Sequence, residues 1–284
     1  MLITANNSLL PPCSYQGGKQ RVSKQIVDYI FHTTTVHNDT HFFDLCCGSG
    51  TITLELISRG INPKNITMLD VSSWGSFWET IGNGSFSYDR FVEYANKVPK
   101  DKSKIQRYMK LLSKEKVGKD ECYKYLLLQA SSFGGKQIWV HGDEWQNTSF
   151  RNFWKPTETS KRRSPVNPMM PMVDELCQRV KLIVDYCQGV NCIHDDIYSI
   201  LELIPQENCV IYIDPPYINT TGYGFEFDIH DFLSKLFDNT LCPVFVSEKE
   251  SISDESIRLT FSGDKGAING NKKKKNEEWL NVYR

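Results

Sequence analysis

Hydrophobic and polar residues follow one another along the chain in the pattern of strands separated by helices. The run 210–213 is apolar, rich in β-branched residues and bounded by turn residues, which is typical of a strand buried on both faces of a parallel sheet. Similar runs predict further strands at 41–44, 65–69, 190–196 and 241–247. Helical spacing of apolar residues predicts helices over 22–31, 51–56, 172–186 and 231–237. This order predicts a Rossmann-like α/β sheet, with a C-terminal β-hairpin formed by 256–261 and 279–283.

The central strand ends in the sequence Asp214-Pro215-Pro216-Tyr217. Two consecutive prolines have no backbone N–H to donate to a neighbouring strand, so the chain leaves the sheet here. Ligands of such sheets bind at this end of the strands. The Asp214 carboxylate and the Pro215 carbonyl can both accept hydrogen bonds from an exocyclic amine on a planar base, while Tyr217 stacks on its ring. The alternative is that these residues only begin a loop, with Tyr217 at its rim.

A glycine turn follows the first predicted strand. The segment 41–56 has the order strand, turn and helix, with Gly48 and Gly50 in the turn. Asp70 ends the next strand about 20 residues later, where an acidic residue can hold ribose hydroxyls. The alternative is that Asp70 caps the helix that follows it.

The net charge of −1 hides a segregated distribution of charges. The segment 97–165 holds 16 Lys plus Arg against 7 Asp plus Glu, a net charge of +9 that leaves −10 for the rest. Such a basic segment is the usual footprint of phosphate binding. Aromatic residues are interleaved with these cations, which predicts stacking on nucleic-acid bases. They are Trp139, Trp145, Phe150, Phe153 and Trp154. The alternative is a solvated charged face over core aromatics.

The composition, with 40% hydrophobic and 24% charged residues in 284, is that of a globular protein. We find neither a signal segment nor an apolar run of membrane-spanning length, and we expect a cytoplasmic protein without membrane contacts. Nine cysteines without a Cys-x-x-Cys pair predict reduced thiols and no metal site.

Taken in order, these motifs resemble those of the Dam-like (group α) DNA N6-adenine methyltransferases over nearly the whole chain. Tyr15-x-Gly-Gly-Lys19 is similar to the family's N-terminal cofactor motif, and the run from Asp44 to Gly50 resembles its glycine-rich loop. The residues that the resemblance assigns to S-adenosylmethionine binding are Tyr15, Lys19, Asp44, Cys46, Gly48, Gly50, Asp70, Asp196 and Ile197. The residues that it assigns to catalysis are Asp214, Pro215, Pro216 and Tyr217.

The resemblance implies methyl transfer from S-adenosylmethionine to N6 of adenine in double-stranded DNA, with the target base flipped against Tyr217. It divides the chain into a cofactor-binding part, 1–96, a mostly helical target-recognition insert, 97–170, and a catalytic half, 171–284. Within the insert, the segment 129–136 resembles the start of target recognition. The expected DNA contacts are Lys136, Arg151, Lys155, Lys161, Arg162 and Arg163. We expect a monomer in solution.

The chain departs from the family pattern at two positions. Cys46 stands where the family usually has Phe, and Ile197 replaces the usual aromatic residue. Asp195 competes with Asp196 for the contact with the cofactor adenine. The dipeptide Pro12-Cys13 matches the nucleophile of cytosine-C5 methyltransferases, but it precedes every predicted strand and we discount it. Two other functions stay open: methylation of an amine in RNA or of a protein amide, and a catalytically silent DNA-binding module.

Overall fold

The computed structural model describes residues 9–216, 227–260 and 277–284. The strands in these ranges are β1 His41–Leu45, β2 Ile66–Leu69, β3 Trp139–His141, β4 Glu144–Gln146, β5 Asn191–Ile193, β6 Cys209–Ile213, β7 Val244–Glu248, β8 Glu255–Arg258 and β9 Trp279–Tyr283. The α-helices are α1 Ser23–Thr33, α2 Thr51–Ser58, α3 Ser73–Gly82, α4 Tyr88–Ala95, α5 Lys102–Leu112, α6 Glu121–Ser131, α7 Val173–Tyr186 and α8 Ile229–Phe237. Short 3-10 helices occupy Pro63–Asn65, Gly118–Asp120, Phe133–Gly135 and Ile197–Ile200.

Seven of the described strands form one sheet in the order β5-β2-β1-β6-β7-β9-β8. The strands from β5 to β7 in this order are parallel, whereas β9 is antiparallel to both β7 and β8. The predicted α/β sheet and C-terminal hairpin are therefore confirmed, and the sheet is compatible with a Rossmann-like fold. The chain adds strands to one side of β1 and then returns to add β6 on the other. In open α/β sheets, ligands bind at such a switch point, beyond the carboxyl ends of the strands.

The central strand β6 is buried on both faces, as its sequence predicts. Val210 and Tyr212 belong to a large core that also contains α1, α2, α3 and α7, whereas Ile211 and Ile213 belong to a smaller core around α8. Each residue of β6 is buried. This continuous burial explains why the strand is an apolar run instead of an alternation of apolar and polar residues.

The basic insert differs from the expected mostly helical segment. Its α-helices, α5 and α6, lie in its first half, and its second half contains the two-stranded β3-β4 sheet and irregular chain. Gly142 has a φ of 63° in the turn between β3 and β4, a conformation that glycine adopts without strain. Helical periodicity in the sequence ends at Ser131 because the chain beyond this residue forms short paired strands instead of a helix.

Helix α6 belongs to the large core, although it lies in the insert. It packs against α3, α4 and α5. The Tyr125 ring is fully buried, with its centroid 5.1 Å from that of Trp74 and 6.2 Å from that of Trp145. An unbroken series of aromatic contacts therefore connects α3 with the insert.

No helix within the described ranges is long and apolar enough to cross a bilayer. The same ranges contain no group of three or more His, Cys, Asp or Glu side chains that could hold a metal ion. All nine cysteines lie in the described ranges as free thiols, as predicted. Burial raises the pKa of Cys13 to about 12, so the thiol of the Pro12-Cys13 dipeptide stays protonated and is a poor nucleophile.

Candidate active site

A cleft lies beyond the carboxyl ends of β1, β2 and β6, where the strand order reverses. The space in the cleft measures about 890 Å³, a volume that includes the part open to solvent. Backbone hydrogen bonds continue past the strand ends, from Asp214 N to the Leu45 carbonyl at 3.1 Å and from Cys47 N to the Leu69 carbonyl at 3.0 Å. These bonds fix the first residues that leave the sheet, so the cleft floor is rigidly supported.

Most of the predicted cofactor-binding residues line this cleft. They are Tyr15, Lys19, Asp44, Cys46, Gly48, Asp70, Asp196 and Ile197. Of the predicted catalytic residues, Asp214, Pro215 and Pro216 line the same cleft. Tyr217 lies outside the described residues. The cleft thus brings together segments that are far apart in the sequence.

The two glycines of the first turn have different tasks. Gly48 has a φ of 49°, and a Cβ at this position would lie 2.9 Å from Cε1 of Tyr15, so its absence lets the Tyr15 ring close on the turn. Gly50 has a φ of 71° and precedes α2, and a Cβ there would lie 2.1 Å from the Trp78 ring. Gly50 does not line the described part of the cleft, so its role is in packing and not in ligand contact.

Asp70 connects the ends of β1 and β2. Its Oδ2 accepts a hydrogen bond from Gly48 N at 2.7 Å, and its Oδ1 accepts from Ser72 N at 2.9 Å and from Ser72 Oγ at 2.5 Å. Ser72, and not Asp70, caps α3, because its Oγ accepts from Trp74 N. Asp70 therefore shapes the glycine turn from inside the cleft.

The structure distinguishes the two candidates for the adenine contact by position. Asp196 lines the cleft beside Ile197, and its Oδ1 accepts from Tyr198 N at 2.9 Å at the start of a 3-10 helix. Asp195 Oδ1 instead accepts from the Asp196 backbone N–H at 2.7 Å, and Asp195 is not part of the described lining. Of the two carboxylates, Asp196 is the one that lines the described part of the cleft.

Asp44 is a buried carboxyl group on the cleft floor. Its Oδ2 accepts hydrogen bonds from Thr53 Oγ1 at 2.7 Å and Thr53 N at 3.1 Å, which connects β1 to α2. Burial raises the pKa of Asp44 to about 7, although the bonds from Thr53 favour its charged form.

Lys19 is the cationic residue that meets Asp214 in the cleft. Its ammonium is 2.5 Å from Asp214 Oδ1 and 3.4 Å from Glu278 Oε1, and it donates to the Gly17 carbonyl at 3.0 Å. Burial alone would lower the pKa of Lys19, but the charges of Asp214 and Glu278 outweigh it and raise this pKa. Burial raises the pKa of Asp214 to about 7, even though Lys19 stabilises its charged form.

Several residues of the site have no signal in the sequence motifs. Gln137 lines the cleft and is only 4% exposed, although it comes from the insert, and its Oε1 has no hydrogen-bond partner among the described residues. Tyr212 lines the cleft from β6 and shares a hydrogen bond of 2.7 Å with Ser247 Oγ. Glu278 precedes β9 next to a run of lysines, in a context typical of solvated charge.

Carboxyl groups outnumber cations in the lining. Among the described residues of the cleft, Asp44, Asp70, Asp196 and Asp214 contribute carboxyl groups, and Lys19 contributes the single cation. Apolar side chains, including Leu69 and Ile197, lie beside them. This combination favours a ligand that carries positive charge, hydroxyl groups and a planar ring.

The predicted DNA-contacting residues lie on the insert and do not line the cleft. Those that are exposed are Lys136, Lys155, Lys161, Arg162 and Arg163. Arg151 is half-buried: its Nε donates to the Ser132 carbonyl at 2.9 Å, and its Nη1 donates to Met170 Sδ at 3.1 Å. Two of its donors are therefore engaged within the protein, which reduces its capacity for a bidentate guanine contact.

The interleaved aromatic residues of the insert divide into two sets. Trp145 and Phe150 are buried in the large core, as expected from the alternative interpretation of the insert as a solvated charged face over core aromatics. Trp154 is 37% exposed, and Phe133 is 53% exposed. Phe133 begins a 3-10 helix that is bonded to the cleft-lining N-terminal loop, because Gln16 N donates to the Gly135 carbonyl at 2.7 Å. One edge of the insert therefore borders the cleft.

No protein-family model matches the sequence, and comparison with curated proteins found no similar sequence. The fold and the site define a mostly parallel α/β protein with a carboxylate-rich cleft at the switch point of its sheet. The functional conclusion depends on the chemistry of that cleft.

Proposed function

We propose that the protein transfers a methyl group from S-adenosylmethionine to N6 of adenine in double-stranded DNA. The observation that carries this proposal is that the glycine turn, Asp70 and the Asp214-Pro215-Pro216 corner line one cleft. The resemblance assigns the first two to cofactor binding and the third to catalysis. The mostly parallel sheet with antiparallel C-terminal strands, which the pattern of the sequence predicts, is compatible with this proposal.

The residues present fit the cofactor. When bound, S-adenosylmethionine supplies a methyl carbon on a cationic sulfur, which leaves with the electron pair of the broken C–S bond. The carboxylates of the cleft suit its positive charges, and Asp70 and Asp196 can accept hydrogen bonds from hydroxyls or amines. Ile197 and Leu69 offer apolar surface for a planar ring. Gly48 keeps the backbone of the turn open to a close approach.

Asp214 is the residue that we assign to the acceptor amine. Lys19 occupies its Oδ1, and Oδ2 is the oxygen that we assign to an N–H of the amine. The Pro215 carbonyl can accept the second N–H, which aligns the nitrogen lone pair for attack. The nitrogen forms the new N–C bond and then loses a proton, which Asp214, with its raised pKa, can accept.

The DNA part of the proposal rests on charge and position. Exposed cations lie on the insert, and one edge of the insert is bonded to the N-terminal loop of the cleft. A base inside a duplex cannot reach a cleft of this kind, so the target adenine has to be flipped out of the stack. Stacking of the flipped base on Tyr217 is part of the proposal and rests on the sequence alone.

The test is transfer of labelled methyl from S-adenosylmethionine to mixed-sequence duplex DNA, followed by nucleoside analysis. We expect label in N6-methyladenine. Asp214→Ala should lower turnover by about 100-fold or more, with cofactor affinity largely kept. Asp238→Ala is the matched control, because Asp238 is exposed at the end of α8 and does not line the cleft.

Other results would lead to other functions. Normal turnover by Asp214→Ala would contradict the assignment of the catalytic corner. Label in RNA or in a protein amide, with none in DNA, would replace adenine by another acceptor. DNA binding without cofactor binding would instead identify a silent binding module.

A further inference from the structure

Glu278 lies outside every motif that the sequence offers, yet its side chain is only 9% exposed and it reaches the catalytic corner. It precedes β9, and its Oε1 is 3.4 Å from the ammonium of Lys19. Lys19 comes from the loop before α1, and Asp214 from the end of β6. Three distant segments of the chain therefore meet in one buried group of two carboxylates and one ammonium.

We propose that Glu278 is a positioning residue for methyl transfer: it holds the Lys19 ammonium between two carboxylates and adds negative charge near the acceptor amine. The inference rests on the proposed function of the cleft. It adds to that function a residue that does not touch the substrate and acts through Lys19.

The geometry of Lys19 explains why a second carboxylate matters. An ammonium has three N–H donors, and Lys19 directs them among Asp214 Oδ1, Glu278 Oε1 and the Gly17 carbonyl. With these partners, Lys19 is held at one side of Asp214. The other carboxylate oxygen is then left to face the amine, and the orientation of Asp214 is fixed before the substrate arrives.

Charge balance supplies the second part of the argument. Methyl transfer moves positive charge from sulfur to the acceptor nitrogen. Asp214 and Lys19 alone would form a neutral pair, which stabilises that new charge weakly. Glu278 adds a negative neighbour to that pair, which strengthens the stabilisation of positive charge where it develops.

The other titratable groups around Asp214 come from the neighbouring strands. Glu248 ends β7 and is 2% exposed, Asp44 comes from β1, and Tyr212 precedes the corner on β6. Glu278 and Glu248 both raise the pKa of Asp214, while Lys19 lowers it. A Glu278→Gln variant leaves Glu248 in place and removes only the Glu278 contribution.

The chain offers a matched control one residue away. Glu277 is exposed, and its carboxylate forms an ion pair with Arg258 at 2.6 Å on the surface. Glu277→Gln changes the same charge by the same chemistry without touching the cleft. Glu278→Asp keeps the charge at Glu278 and serves as the conservative rescue variant.

The experiment compares the wild type with these three variants by methyl transfer to duplex DNA as a function of pH. We expect Glu278→Gln to lower the maximal kcat about tenfold and to move its acidic limb to lower pH, because loss of a nearby negative charge lowers the pKa of Asp214. Glu277→Gln should match the wild type, and Glu278→Asp should recover most of the rate and the original pH dependence. A merely structural role would lower the rate without moving the acidic limb.

A second measurement does not need turnover. Carboxyl-¹³C aspartate NMR of the free protein, with Asp214→Asn to assign the signal, follows the titration of Asp214. Its midpoint should move to lower pH in Glu278→Gln and not in Glu277→Gln. An unchanged midpoint in Glu278→Gln, or a kcat of this variant equal to that of the wild type, would overturn the role proposed for Glu278. Either result would leave the proposed function of the cleft unaffected. A wild type that methylates no DNA would overturn the proposed function, and the positioning role with it.

Discussion

Lys19 shows how strongly one residue determines the chemistry of this cleft. Its ammonium is buried between Asp214 and Glu278, two side chains that lie far apart in the sequence. A buried charge without its partner is costly, so each member of this group depends on the others. Stability and catalysis should therefore change together when Lys19 is replaced.

We expect Lys19→Met to lower the free energy of unfolding by about 3–5 kcal/mol near pH 8. The loss should shrink towards pH 5, because the pKa of Asp214, already about 7, rises further without Lys19 and the carboxyl group is then neutral in the folded state. Denaturant unfolding at the two pH values measures this difference.

Lys24→Met is the control for that experiment, since Lys24 is exposed on α1. It should change stability little at either pH. An equal loss at pH 5 and pH 8 in Lys19→Met would show that the carboxylates are not the cause.

At the scale of elements, the turn between β1 and α2 shows how packing constrains the cleft. The turn has to pass under the Tyr15 ring and against the Trp78 ring within a few residues. Trp78 Nε1 donates to the Gly48 carbonyl at 3.0 Å, so α3 also holds the turn from below. The glycines are required by these neighbours as much as by any ligand.

We predict that Gly50→Ala lowers the free energy of unfolding by at least about 2 kcal/mol, from backbone strain and from overlap with Trp78. Gly134→Ala isolates the strain, because Gly134 has the same φ of 71° and no atom within 4 Å of the added Cβ. Thermal or denaturant unfolding should show a clearly larger loss for Gly50→Ala. Equal losses would mean that Trp78 moves aside without cost.

The elements that the sequence predicts best are those whose burial follows a local pattern, continuous in β6 and periodic in α7. The apolar run of β6 and the helical spacing of α7 are properties of neighbouring residues, so local pattern is enough to find them. The strands β3 and β4 are three residues each and carry polar side chains, so no periodicity marks them. Tertiary packing brings Gln137 into the cleft and Glu278 to Lys19, and it leaves no trace in their sequence neighbours.

At the scale of the whole molecule, charge is separated between the two surfaces that the proposed reaction needs. The described lining of the cleft is acidic, while the exposed residues of the insert include many lysines and arginines. The acidic lining of the cleft would repel a polyanion, and the basic surface of the insert would attract it. This separation predicts that duplex binding is governed by the insert and depends strongly on salt.

We predict that Lys161→Ala weakens the binding of all duplex sequences alike and reduces the slope of log K against log salt by about 1. Lys64→Ala is the control, because Lys64 is exposed before β2, at the end of that strand opposite the cleft. Titrations at several salt concentrations measure both slopes. Loss of affinity for one sequence alone would assign Lys161 to base reading instead.

The ring of Tyr125 meets Trp74 edge to face and stacks on Trp145, and these contacts limit how the insert can be exchanged in this architecture. An exchange of the entire insert with that of another protein would cut through a shared core and would demand compensating changes in α3. Changes confined to exposed side chains of the insert, such as those of residues 161–163, avoid this demand. Under the proposed function, diversification of the target sequence should therefore proceed by small replacements at the periphery, and engineered chimaeras should keep α6 with its original host.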